Sequence, residues 1–350
     1  MTKVLIHANH YPVASARYMT DAFKRLGCEV YHDGQPMGRH IWGLTLPPEY
    51  EWTPDPPPED WTPDIIVVMD SDPAVLDARY EYTTYYPETP MVVYGVDNHV
   101  RDYRRPFFDH YFLAHRYASL MEWTHEPFTA GELAPVETVG KVSKVLVSKG
   151  GVQKPRPDMT WLPCAYDAMY FTPSPIPYQR RKYDVALLGV MYPERLELVN
   201  ALQKAGLSVI WGTGLVYDAY KDAHHEARVS LCHNVAGDLN QRVFECGAMR
   251  TAVVIMPSCH DLTNPDTNAQ LKLDGFVLAH TVEDAVSVCK ELAQDNPTLG
   301  EHGADRMMRS CIPHTWDARG RAILDWLAGQ PVTIATAPVD KSGLVEVRGE

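Results

Sequence analysis

Val185-Ala186-Leu187-Leu188-Gly189-Val190-Met191-Tyr192-Pro193-Glu194-Arg195 opens as a buried strand, breaks at a glycine and continues into a helical pattern. Further on, Asp238-Leu239-Asn240-Gln241-Arg242-Val243-Phe244-Glu245-Cys246-Gly247-Ala248 runs as a helix straight into the apolar stretch Ala252-Val253-Val254-Ile255. Short apolar runs without alternation mark strands covered on both faces, as in parallel sheets. Two strand-to-helix turns on neighbouring strands set two helix N-termini over one crevice. Unpaired N–H groups and the helix macrodipole attract phosphate there, so the crevice suits a nucleotide diphosphate.

The same alternation extends outward in both directions. Toward the C-terminus it predicts strands at Val209-Ile210-Trp211, Val229-Ser230-Leu231-Cys232 and Phe276-Val277-Leu278, with helices over 282–293, 298–310 and 315–327. Toward the N-terminus, Lys3 to His7 reads as a strand, Ser15 to Leu26 as a helix closed by Gly27, and Glu29 to Tyr31 as extended chain. The proline-crowded segment 46–63 is a loop. Ile65 to Met69, Met91 to Tyr94 and Tyr111 to Ala114 supply further strands. Three polar strand exits, at residues 7–10, 70–72 and 97–99, face one side of the sheet. The stretch 122–159 is irregular, with Lys141, Lys144, Lys149, Lys154 and Arg156 in its middle. The expected fold class is α/β, with two Rossmann-like doubly wound domains. The expected boundaries are 1–165 for the first domain, 166–182 for a linker stiffened by Pro173, Pro175 and Pro177, and 183–312 for the second. A helix over 313–328 and a loose tail over 329–350 complete the chain.

Composition narrows the function classes. The 350 residues are 45% hydrophobic and 22% charged, enough for two filled interiors. A formal charge of −13 argues against a protein that coats nucleic acid by bulk electrostatics. The 7 cysteines are dispersed and contain no C-x-x-C pair, which points to a reducing, cytoplasmic compartment and to no structural zinc. The N-terminal apolar run is too short for a signal sequence, and no segment reaches bilayer length, so no membrane span is expected.

Gly189 to Arg195, then Asp238 to Glu245, then a glycine and a strand, resembles the C-terminal half of the spore-maturation (CgeB-type) glycosyltransferases. The resemblance covers roughly residues 160–328, including Trp161-Leu162-Pro163-Cys164-Ala165-Tyr166-Asp167 ahead of the linker. It implies the GT-B fold, in which two Rossmann-like domains face a central cleft and the terminal helix crosses back onto the first domain. The activity it implies is transfer of a sugar from a nucleoside diphosphate donor, with retention at the anomeric carbon. No further cofactor is expected.

Each candidate residue carries a specific chemistry. Glu245 can accept two hydrogen bonds from the vicinal hydroxyls of a ribose, the role the resemblance implies; otherwise it is a surface or ion-paired glutamate. Arg242 lies one turn earlier on nearly the same face. It either holds the diphosphate as the sugar departs or pairs with Glu245. Asp238 and Asn240 stand at a helix start, where such side chains cap exposed N–H groups. Retaining GT-B families place a glutamate eight positions before the ribose-binding one, and here that position is Gly237, a departure from the pattern. Gly189 lets backbone approach a ligand, Arg195 projects from the first turn toward the crevice or is simply solvated, and Gly212 opens a flexible strand exit that either shapes a base pocket or is an ordinary turn. His233 and Asn234 follow the strand ending at Cys232 and point into the cleft; with His224 and His225 they make no metal-spaced cluster. On the acceptor side, Asp97 and His99 form a carboxylate and imidazole pair able to orient or deprotonate a hydroxyl, or alternatively a plain turn. No Asp-x-Asp metal clamp stands at a strand exit, so a metal-independent transfer is expected. The acceptor stays open among small molecule, glycan, protein and DNA with hydroxylated bases. Also open are a nucleotide-sugar epimerase or hydrolase, and a non-catalytic carbohydrate-binding protein of spore coat or virion.

Overall fold

The computed structural model describes residues 1–41, 44–69, 82, 84–96, 108–115, 159–234, 239–257, 259–263 and 265–334. Two parallel sheets dominate them. The first contains β1 (Lys3–Ala8), β2 (Glu29–Asp33), β5 (Ile65–Met69), β6 (Met91–Gly95), β7 (His110–Leu113) and β8 (Met159–Trp161) in the order β2-β1-β5-β6-β7-β8. Between β2 and β5 lies a small antiparallel pair, β3 (His40–Ile41) with β4 (Leu44–Thr45). The second sheet contains β9 (Tyr183–Leu188), β10 (Val209–Gly212), β11 (Ala227–His233), β12 (Ala252–Met256) and β13 (Phe276–Leu278) in the order β10-β9-β11-β12-β13. Each sheet steps outward in one direction from its first strand, then returns across it to build the other side. That reversal opens a crevice at the strand C-termini.

The sequence dictates these elements directly. In β5, β6, β7 and β12 every residue is buried, as runs covered on both faces must be. The helix Ser15–Arg25 buries Ala16, Met19, Thr20, Ala22 and Phe23 along one stripe. The helix Pro193–Lys204 starts on proline, whose missing N–H costs nothing at that position. β8 was not expected: it emerges from the end of the irregular stretch and is too short to show a period.

A single apolar cluster joins the sheets, running from Val4, Ile6 and Val67 through Phe171 and Trp316 to Phe244 and Val253. The helix Trp316–Leu327 lies against the helix Ser15–Arg25, where Arg25 Nη2 binds Asp317 Oδ1 at 2.5 Å and Asp167 Oδ2 at 3.1 Å. Arg319, wholly buried, donates to the carbonyls of Pro163 (2.6 Å), Cys164 (3.2 Å) and Ile334 (3.0 Å) and to His314 Nδ1 (2.9 Å). Residues from both ends of the chain are thereby tied into one body. No described helix is long and apolar enough to cross a membrane.

Candidate functional site

The site grows from the exits of β9 and β10. Leu188 and Gly212 are register partners, and just beyond them the Gly189 amide donates to the Gly212 carbonyl at 3.0 Å. The Met191 amide donates to Thr213 Oγ1 (3.1 Å), and that hydroxyl donates to the Gly189 carbonyl (3.1 Å). Gly189 has φ +123°, a conformation L side chains rarely adopt. A Cβ added there would lie 2.7 Å from Arg242 Nη2 and 2.9 Å from Arg195 Nη1. The turn therefore needs glycine twice over, for its backbone and for the two guanidinium groups that close on it.

The two arginines do different things. Arg195 is 5% exposed and donates from Nη1 to the Val190 carbonyl (2.7 Å) and from Nη2 to the His233 carbonyl (2.8 Å). It does not simply project into the crevice as expected; it staples the β9 exit to the β11 exit, because buried carbonyls demand donors. Arg242, in the first turn of the helix Gln241–Ala248, is half-buried, and its Nε has no hydrogen-bond partner among the described residues. Burial works against its charge, but Tyr220, Cys232, Cys246 and Glu245 together hold its pKa above the ordinary arginine value. It forms no ion pair with Glu245, so the bland alternative for these two residues does not hold among the described contacts. Two cations converging on one glycine turn beside a helix start make a strongly anion-attracting point.

Glu245 is buried, and both carboxylate oxygens are engaged. Tyr220 Oη donates to Oε2 at 2.9 Å and Gln241 Nε2 to Oε1 at 2.6 Å. Burial raises its pKa; Gln241, Tyr220 and Arg242 pull the other way without cancelling that rise. Gln241 Oε1 in turn accepts from Ser15 Oγ of the first sheet's helix at 2.9 Å. Asn240 occupies the N-cap position of the helix but makes no side-chain cap, contrary to expectation. Its amide donates instead to Asn234 Oδ1, leaving Asn240 Oδ1 and Asn234 Nδ2 buried without partners among the described residues. His233 ends β11 and presents its carbonyl to Arg195.

The structure thus gathers Gly189, Arg195, Gly212, His233, Asn240, Arg242 and Glu245 around the exits of β9, β10 and β11. Asp97, His99 and Asp238 lie outside the described residues, as do Gly237, the polar exit 70–72 and the basic stretch 141–156. Further contacts also escaped sequence reasoning. His7 Nδ1 meets Asp33 Oδ1 at 2.8 Å at the ends of β1 and β2, and His10 Nε2 meets His32 Nδ1 at 3.0 Å beneath Trp52. Tyr217, at φ +50°, stacks on Tyr50 with ring centroids 4.3 Å apart and accepts from Arg17 Nη1 at 2.7 Å. The polar exit of β1 was the available signal for the histidines; nothing in the sequence pairs Tyr50 with Tyr217. Among the described residues no group of His, Cys, Asp and Glu is arranged to hold a metal ion.

Comparison with known proteins gives the fold. No protein-family model matches the chain, and no curated protein matches it in sequence. Solved structures do. Sucrose-phosphate synthase (tll1590) from Thermosynechococcus elongatus superposes with TM-score 0.56 at 10% identity, over 94% of this chain and 99% of that one. An alpha-glucosyltransferase in complex with UDP and a 13-mer DNA containing a HMU base superposes with TM-score 0.53 at 12% identity, over 94% and 99%. A putative UDP-N-acetylglucosamine 2-epimerase from Listeria monocytogenes does so with TM-score 0.53 at 11% identity, over 96% and 99%. The fold is GT-B: two Rossmann-like α/β domains, each on a parallel sheet.

Proposed function

We propose that this chain is a glycosyltransferase of the spore-maturation type that moves a sugar from a nucleoside diphosphate sugar to an acceptor hydroxyl. The observation that carries the reading is the closure of Arg242 and Arg195 on Gly189, with Arg242 Nε left without a partner among the described residues. The donor diphosphate sits against the Gly189 backbone, held by Arg242 and the start of the helix Gln241–Ala248. Arg195 fixes the turn rather than the phosphate. Glu245 takes the ribose hydroxyls and Gly212 borders the base. As the bond from the anomeric carbon to the diphosphate oxygen breaks, negative charge grows on the leaving group, and Arg242 offsets it in a site shielded from water. Arginine and helix dipole carry the charge that a divalent ion carries elsewhere, so transfer is metal-independent. Retention follows the resemblance of residues 160–328. Asp97 and His99 are the acceptor-side candidates.

A second reading has one observation in its favour: the epimerase fold matches as well as the DNA-bound glucosyltransferase does. The test separates them. Nucleotide sugars are screened by thermal shift, since a ligand that binds only the folded state raises the melting temperature. The best donor is then incubated alone and with acceptors of each class, including hydroxymethylated DNA. Transfer only with acceptor supports the proposal; an isomerised sugar from donor alone supports the epimerase; no shift with any nucleotide sugar overturns both.

A further inference from the structure

Glu245 is already satisfied where a ribose diol would bind. Gln241 Nε2 stands 2.6 Å from Oε1 and Tyr220 Oη 2.9 Å from Oε2, so each oxygen accepts one protein donor. Those are the donors a vicinal diol would bring. The two differ in how firmly they are held. Tyr220 is wedged edge-on against Phe171 and His224, with ring centroids 6.1 and 4.6 Å away. Gln241 is a half-buried, flexible side chain one turn before Glu245, held at its far end by Ser15 Oγ at 2.9 Å. Ser15 is the first residue of the helix Ser15–Arg25, which packs on the first sheet. The link Ser15–Gln241–Glu245 therefore spans the two domains through the carboxylate.

We propose that Gln241 holds the ribose position of Glu245, and that an arriving nucleoside displaces it and releases Ser15. Donor binding and the Ser15 contact are then mutually exclusive, so filling the site loosens one tie between the domains. The inference rests on the donor reading of Glu245 given above. It makes Gln241 a positioning residue that sets donor affinity and selectivity for a ribose over a deoxyribose.

The test is titration calorimetry with uridine, guanosine, adenosine and cytidine diphosphates and the 2′-deoxy form of the tightest binder, on wild type, Gln241→Ala, Ser15→Ala and Glu245→Ala. Removing a hydrogen bond that competes for a charged group should tighten binding of the ribonucleotide about tenfold in Gln241→Ala. Ser15→Ala should tighten it less. The 2′-deoxy nucleotide, with one hydroxyl to offer, should gain less from Gln241→Ala than the ribonucleotide does, a difference that a purely structural glutamine would not produce. If wild type binds and Glu245→Ala does not, yet Gln241→Ala binds no tighter or more weakly, the displacement is overturned and the donor site stands. If wild type binds none of the nucleotides, or Glu245→Ala binds as well as wild type, the donor reading and the displacement fall together.

Discussion

At single residues of the site, charge and its burial dominate. Arg242 is half-buried, and its Nε has no partner among the described residues. Arg242→Ala is predicted to lower kcat/KM roughly 10²–10³-fold, with Lys restoring only part, since an ammonium cannot reproduce the guanidinium fork. Steady-state kinetics with the best donor checks this, and turnover in excess chelator should match turnover without it. Glu245 gives a pH signature. Burial raises its folded pKa above the ordinary 4.5, so the folded state prefers the protonated form and is penalised as pH rises through the raised value. Glu245→Gln, which keeps a carbonyl for Gln241 Nε2, should therefore melt higher than wild type at neutral pH, with the gap closing below pH 4.5. A lower melting temperature at neutral pH contradicts the assignment. The Arg242 and Glu245 spacing was legible as a nearly shared helix face; the part Gln241 plays beside Glu245 was not, nor was its Ser15 contact, because 226 residues separate the two.

At the scale of elements, the helix Trp316–Leu327 is secured by Arg319 more than by its length. Its guanidinium answers three backbone carbonyls and His314 Nδ1, and Trp316 meets Tyr94 edge to face at 5.7 Å. Arg319→Ala leaves buried carbonyls without donors and should cost ~3 kcal/mol or more in chemical denaturation. A loss within about 0.5 kcal/mol would mean the helix is held by apolar packing alone. Most elements were legible in hydrophobic runs and punctuation: β9, β12 and the helices Pro193–Lys204 and Gln241–Ala248 fall where residues 185–256 predict them. β8 and the short helices His260–Thr263 and Pro265–Leu271 were not, since three to seven residues carry too little periodicity. Arg195 read from sequence as a cleft cation because sequence does not show which carbonyls a fold leaves exposed behind it.

At the scale of the molecule, buried histidines set an acid limit. Burial lowers the pKa of His10 to about 4 and of His314 to about 3, and lowers those of His32 and His225 as well. A depressed histidine stabilises the fold fully above its unfolded value near 6.5, and that contribution is lost as pH falls through the folded values. Melting temperature should therefore drop steadily from pH 6.5 to 4; a flat profile contradicts the neutral state of these rings. The domains themselves meet through Tyr217, which reaches the Pro12 carbonyl and Arg17, and through Ser15 and Gln241, so the proposed donor site and the domain contact share one seam. Crystals grown with the tightest-binding nucleoside diphosphate would show where the diphosphate lands in that seam. The account predicts phosphate oxygens within hydrogen-bond reach of the Gly189 turn and Arg242, with the ribose on Glu245. A nucleotide bound elsewhere, with Arg242 untouched, would contradict it.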